Sequence, residues 1–263
     1  GSAAVSCVAE EAKTLCSEAE ENILGVEAFN SRWARWSTCG LCEQSYHGVV
    51  RCALGWACWK THVGRPEGDQ TRRMAMTLLG NGLSAVDHHE EALSVEEAVF
   101  SMMRRLGAGK DDILTMQGIL AITYQSLGRL EEASQIQRDV YSGRMQLHGE
   151  KHASTHLAAL NYTSSLVHLQ RYQEVKSVLR KTMPVARRVL GENHEHTLRM
   201  RSIYTMALYL DPAATLDDLR EAVATLEDTE RIAHPITKGI ENELRAARAA
   251  RRARENAATV DPD

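Results

Sequence analysis

The sequence predicts an all-α protein built from stacked helical hairpins, and three observations point there. The first is composition: 263 residues include only five prolines and two phenylalanines, while Ala, Leu, Glu and Arg, which favour helix, are plentiful. The second is a tandem period of 40 to 42 residues, the kind of regularity that decides a fold before any local reading. The third is a Leu-Gly step or its equivalent at the same point of each period. Glycine there supplies the left-handed conformation that ends a helix.

The period is visible in short stretches. LGRLEEA (Leu127–Ala133) recurs 42 residues on as LQRYQEV (Leu169–Val175), and HGEKHAST (His148–Thr155) recurs as LGENHEHT (Leu190–Thr197). Forty-one residues earlier, HHEEA (His88–Ala92) aligns with RLEEA. One column holds Gly40, Gly80, Ala121, Thr163 and Thr205, and the column before it Cys39, Leu79, Leu120, Tyr162 and Tyr204. Twelve residues after the small column stand Cys52, Ala92, Ala133 and Val175. Small residues let two helix backbones approach, and larger ones fill the grooves between them. The His-x2-Thr that follows two of the Gly steps offers side chains to cap the next helix.

Along the chain, residues 3–25 predict an N-terminal capping helix with apolar positions Val8, Leu15, Ala19 and Ile23. The leading Gly1-Ser2 reads as the remnant of a removed tag. Five repeats follow at 33–62, 73–106, 114–147, 156–190 and 198–232, with Gly64-Arg65-Pro66 forcing a break after the first. In the fifth, Asp211-Pro212 opens a longer loop and Thr215-x2-Asp218 predicts a capping box with Asp in place of Glu. Pro235 suits the first turn of a final capping helix over 235–256, whose stripe is Ile236, Ile240, Leu244 and Ala247.

Trp36-x2-Cys39-Gly40 and Cys52 occupy the W-x2-L-G and later Ala positions of the tetratricopeptide repeat, and the array from Trp33 to Ile232 resembles that family. The period near 42 and LGENH (Leu190–His194) resemble the longer kinesin-light-chain variety. The same segment resembles an expanded family of algal repeat proteins. Its repeats often accompany a MYND-type zinc finger, which is not found in this sequence. The resemblance implies a right-handed α-solenoid whose first helices line a concave groove. It implies groove-facing Thr77, Asn81, Gln125, Ser164, His168, Arg199 and Tyr209, whose polar groups can bond a peptide backbone. Ile122, Ser164 and Met206 stand at the carboxylate-clamp position of chaperone-binding relatives, so binding of an acidic C-terminal peptide in that manner is not expected.

Other chemistry has little footing. STCGLCEQSYHGVVRCALGWACW (Ser37–Trp59) gathers four of six cysteines and two of four tryptophans. Cys39-x2-Cys42 has the spacing of a zinc half-site, but no second C-x2-C or H-x3-5-H completes it. The repeat register puts both cysteines on a helix, with Cys42 in the column of Gly82, Thr123, Ser165 and Ala207. Cysteine serves there as a small hydrophobe, and a metal on Cys39 and Cys42 is kept only as a minor alternative. His88-His89-Glu90-Glu91 and His194-Glu195-His196 fall in inter-helix turns, where adjacent histidines face apart. Trp56 and Trp59, three apart, share a face and are expected to pack on the N-terminal helix, with a partner-binding aromatic patch as the alternative.

No metalloprotease, nucleophile-elbow, P-loop or Rossmann pattern occurs, so no catalytic residue, enzyme activity or cofactor is expected. A net charge of −4 argues against nucleic acid as the partner. The basic face Lys238, Arg245, Arg248, Arg251, Arg252 and Arg254 reads as solvated. No apolar run nears the ~20 residues of a membrane span, no secretory signal is seen, and the sparse cysteines suit a cytoplasmic or other reducing compartment. No small-molecule substrate is expected. The expected function is a non-catalytic scaffold that holds another protein or a peptide in its groove. The alternatives are a structural subunit or assembly factor of a larger complex, and a metal-binding enzyme fragment using the Cys/His-rich first repeat.

Overall fold

The computed structural model describes residues 2–23 and 25–230. The final capping helix expected at 235–256, with Pro235, its apolar stripe and its basic face, lies outside the described residues, as do the last two residues of the fifth repeat. The described residues form eleven α-helices, one 3-10 helix and no strand. None of these helices is long and apolar enough to cross a membrane.

The chain divides into two compact units, Gly1–Arg129 and Leu130–Asp263. The first contains α1 (Ser2–Glu21), α2 (Val26–Trp33), the 3-10 helix (Ala34–Trp36), α3 (Gly48–His62), α4 (Gln70–Ser84), α5 (His89–Arg105) and α6 (Lys110–Ser126). The second contains α7 (Leu130–His148), α8 (Ala153–His168), α9 (Tyr172–Leu190), α10 (Glu195–Leu210) and α11 (Leu216–Glu230). Within each unit successive helices pack as neighbours, and α8 also reaches α10.

Local chemistry sets where these helices begin and end. Asp69 caps α4 by accepting from the Arg72 amide at 2.8 Å. His152 and His194 cap α8 and α10 through Nδ1, which accepts from the amides of Ser154 and His196. The capping box expected at Thr215-x2-Asp218 is formed: the Thr215 amide donates to the Asp218 carboxylate, and the Asp218 amide donates to the Thr215 hydroxyl. At the turns after α4, α6 and α8, the amides of His88, Arg129 and Arg171 donate to the carbonyls of Leu83, Tyr124 and Leu166. This is the Schellman closure, and it needs a left-handed residue just before the donor.

That residue is Gly128 in one turn, but Asp87 (φ +61°) and Gln170 (φ +56°) in the other two. A side chain in this conformation is strained. Gln170→Gly is therefore expected to raise the second unit's stability by roughly 0.5–1 kcal/mol. The midpoint of urea unfolding followed by far-ultraviolet circular dichroism reads it, and an unchanged or lower midpoint would count against strain at this turn.

The repeat columns form the helix contacts. Ala92, Ala133 and Val175 are fully buried. Gly55 and Gly82 bring α3 and α4 together: a Cβ on Gly55 would stand 2.8 Å from the Leu78 carbonyl oxygen, and one on Gly82 2.9 Å from the Cys52 Cα. In the second unit Leu160, Leu166, Leu179, Met200, Tyr204 and Leu208 form the core. In the first, Trp33 and Trp36 pack with Ala12 and Cys16 of α1 and Cys58 of α3. The His62 ring lies 5.5 Å from that of Trp33, and burial pushes its pKa below the ordinary value.

The first repeat departs from the expected register. Residues 37–47 are not helical, so Cys39, Gly40 and Cys42 stand in a turn between the 3-10 helix and α3. The stretch carries Gly40, Thr38 and Ser45 and no helical apolar stripe, so nothing favours extending α2 through it. Trp33 and Trp36, rather than Trp56, supply the tryptophan packing on α1: Trp56 is exposed and Trp59 half-buried.

Candidate functional site

The first unit holds a cavity of about 360 Å3 lined by α4 and α6, with Trp33 of α2 and Met103 of α5. From α4 come Arg73, Met74, Thr77 and Leu78, and from α6 Asp112, Thr115, Met116 and Ile119. On each helix these positions recur at three- and four-residue intervals, so they share one face. The Thr77 hydroxyl donates to the Arg73 carbonyl at 3.1 Å, which leaves its methyl group for the cavity wall. Among the described residues, neither the Arg73 guanidinium nor the Asp112 carboxylate has an ion-pair partner. An apolar floor between two unpaired, opposite charges can hold one apolar side chain and orient the charged groups beside it.

Thr77 is the groove residue that lines this cavity. Asn81 and Gln125, on α4 and α6, are half-buried but outside the lining. In the second unit Ser164 and His168 lie on α8, and Arg199 and Tyr209 on α10. His168 is exposed, Arg199 pairs with Glu195 at 3.6 Å, and Ser164 and Tyr209 are half-buried. The repeat columns did not single out Arg73 or Asp112. The stripe Asp112, Thr115 or Met116, Ile119 was readable as one helix face, but the cavity needs four helices at once, which no column encodes.

The cysteines divide into two environments. Cys16 and Cys58 are buried in the core around Trp33 and Trp36, and burial pushes both thiols up. Cys52 is half-buried against Leu79, Leu83 and Ala92, and is also raised by burial. Cys39 moves the other way. The neighbouring Cys42 and Leu41 amides and the Cys42 thiol hold its pKa below the ordinary thiol value.

The turn histidines have local partners: His88 meets Glu91 at 3.5 Å and His89 meets Asp87 at 3.7 Å. Among the described residues, no three His, Cys, Asp or Glu side chains converge as a metal site.

Helix-capped hairpins, small-residue contacts and a cavity between first helices define a repeat protein of the helical-hairpin class. Residues 113–154, from α6 through α7 into the following turn, match the family model of the tetratricopeptide repeat. Solved structures share the fold, and two of them are representative. The nearly identical TPR-like repeats assigned to a kinesin light chain of Podosopora anserina are 16% identical, with a TM-score of 0.58 over 85% of this chain and 93% of that one. BtubC (BKLC) of P. vanneervenii is 13% identical, with a TM-score of 0.59 over 81% of this chain and 93% of that one. No curated protein matches the sequence. Residues 113–154 thus match one tetratricopeptide repeat, and the fold is the all-α, helical-hairpin one that the period predicts.

Proposed function

We propose that the protein is a non-catalytic interaction scaffold that seats an apolar side chain of a partner peptide in the cavity between α4 and α6. The observation that carries this reading is the apolar cavity with Arg73 and Asp112 unpaired beside it. An acidic residue on one side of the anchor would meet Arg73, and a basic residue on the other would meet Asp112. Each would form a charge-assisted contact without breaking an existing pair. Asn81 and Gln125 on the same two helices would bond the peptide backbone. Ser164 and His168 on α8, and Arg199 and Tyr209 on α10, are the second unit's own candidates for contact with a partner. The tetratricopeptide fold supports a protein partner in general terms, and the cavity supplies the particular chemistry.

Selection of peptides from a displayed random library on the purified chain tests this. Enriched peptides are expected to share an apolar anchor flanked by one acidic and one basic residue. Thr77→Trp, which fills the cavity, and Arg73→Glu, which reverses one charge, are each expected to weaken them at least about tenfold, or 1.4 kcal/mol. Arg188→Glu, at an exposed position of α9 in the second unit, serves as the folded control. Peptides that bind Thr77→Trp and Arg73→Glu as tightly as the unaltered chain would sink the proposal.

A further inference from the structure

Between the 3-10 helix and α3 the chain makes a tight hairpin that holds two thiols together. The Cys39 amide donates to the Gln44 carbonyl at 2.9 Å, the Glu43 amide to the Cys39 carbonyl at 3.0 Å, and the Tyr46 amide to the Ser37 carbonyl at 2.8 Å. Thr38 and Ser45 form an antiparallel bridge, and Glu43 takes the left-handed conformation that the reversal needs. Inside this loop the Cys39 thiol neighbours the Cys42 and Leu41 amides, the Cys42 thiol and the Tyr46 hydroxyl, groups that favour its thiolate. The Arg35 side chain lies against the same turn: its Nη1 is 3.1 Å from where a Cβ on Gly40 would stand. Cys42 is exposed and Cys39 half-buried, so the pair is open to a small reagent.

We propose that Cys39 and Cys42 are a peroxide-reactive dithiol pair that closes to an intramolecular disulfide. Amide donors and a phenol stabilise a thiolate on Cys39, and thiolate character with access is what makes a cysteine reactive. The oxidant is a hydroperoxide. The Cys39 thiolate attacks one peroxide oxygen, the O–O bond breaks, and Cys39 becomes a sulfenic acid as the other oxygen leaves as alkoxide or hydroxide. The Cys42 sulfur then attacks the Cys39 sulfur. The S–S bond forms, the S–O bond breaks, and the hydroxyl leaves with the Cys42 proton as water. Two thiols lose two electrons and the peroxide gains them, giving a disulfide, an alcohol or water, and one further water. A low-molecular-weight thiol reverses the step by exchange.

The geometry favours this chemistry over a metal on the same pair. A structural zinc takes four ligands, and Cys52, ten residues after Cys42, turns instead to Leu79, Leu83 and Ala92.

The tryptic peptide from Trp36 to Arg51 contains Cys39 and Cys42 and no other cysteine, which makes the test direct. The reduced chain is given one equivalent of hydrogen peroxide, its remaining thiols are alkylated, and the peptides are weighed. The expected result is a Trp36–Arg51 peptide that escapes alkylation and is lighter by two hydrogens, formed at least about tenfold faster than oxidation of the exposed Cys7. In Cys42→Ser the reaction is expected to stop at a sulfenic acid on Cys39 that dimedone traps. Two outcomes overturn the proposal. One is full alkylation of both cysteines at a peroxide dose that oxidises Cys7. The other is a stoichiometric zinc in the purified reduced protein that leaves when this pair is modified.

Discussion

Asp211→Ala is expected to lower the stability of the second unit by about 3–5 kcal/mol, because it strands a buried ammonium. Lys176 on α9 is 3% exposed, and its Nζ lies 2.8 Å from the Asp211 carboxylate at the end of α10. The same carboxylate accepts from the Gln173 amide group at 2.6 Å and from the Ala213 backbone amide at 2.9 Å. Without it, the nearest acid to Lys176 is Asp218 at 3.7 Å. Burial alone would raise the Asp211 pKa, but the Lys176 and Ala213 donors outweigh it and hold the group below its ordinary 3.8. A depressed carboxylate contributes stability that is present above its unfolded value and lost as pH falls through the folded one. The difference between Asp211→Ala and the unaltered chain should therefore be full at pH 7 and shrink below about pH 4. Urea unfolding followed by circular dichroism at both pH values measures it. A pH 7 difference below about 1 kcal/mol would mean that Lys176 finds water or another partner. The double variant Lys176→Met with Asp211→Asn removes the charge together with its counter-charge, and should recover most of the loss.

The hairpin fold was legible in the sequence because close helix contacts accept few residue types, and tandem copies repeat that restriction. Ala92, Ala133 and Val175 show the rule: each is fully buried, so their column could be found by alignment alone. The same rule misled at the first repeat. Trp36-x2-Cys39-Gly40 has the right residue types at the right spacing, yet Gly40 is exposed and the segment turns back on itself. A spacing match fixes a helix only when an apolar stripe continues through it, and residues 37–47 carry none. The cavity was less legible than the fold. Thr77 could be placed by counting from the small column, whereas Arg73, Asp112, Trp33 and Met103 meet only once four helices pack. The contrast between Cys39 and Cys58 is of the same kind. Both are cysteines in one short stretch, and the opposite directions of their pKa come from three-dimensional surroundings, amide donors in one case and the core in the other.

The small column also explains the second large effect, at Glu96 on α5. Gly80 leaves room on α4, and the Glu96 side chain lies against it, with Cγ 3.2 Å from where a Gly80 Cβ would stand. Glu96 is 2% exposed, its carboxylate meets the Thr123 side chain of α6, and its Oε2 has no hydrogen-bond partner. Burial without a cation raises its pKa from the ordinary 4.5 to about 7, the Thr123 contact opposing only part of the rise. A raised carboxyl binds its proton more tightly in the folded chain than in the unfolded one. The folded state therefore loses stability as pH rises from 4.5 towards 7, and the whole cost persists above that. At about 1.4 kcal/mol per pH unit, the rise to about 7 corresponds to a cost on the order of 3 kcal/mol. Glu96→Gln keeps the shape, cannot ionise and can still bond Thr123. It is expected to match the unaltered chain near pH 4.5 and to exceed it by that amount at pH 8. All four tryptophans lie in the first unit, so their fluorescence in a urea titration reports the unit that holds Glu96. If the two chains keep a constant difference from pH 4.5 to 8, the carboxyl is solvated or paired, and the gap that Gly80 leaves is filled by something other than a neutral acid.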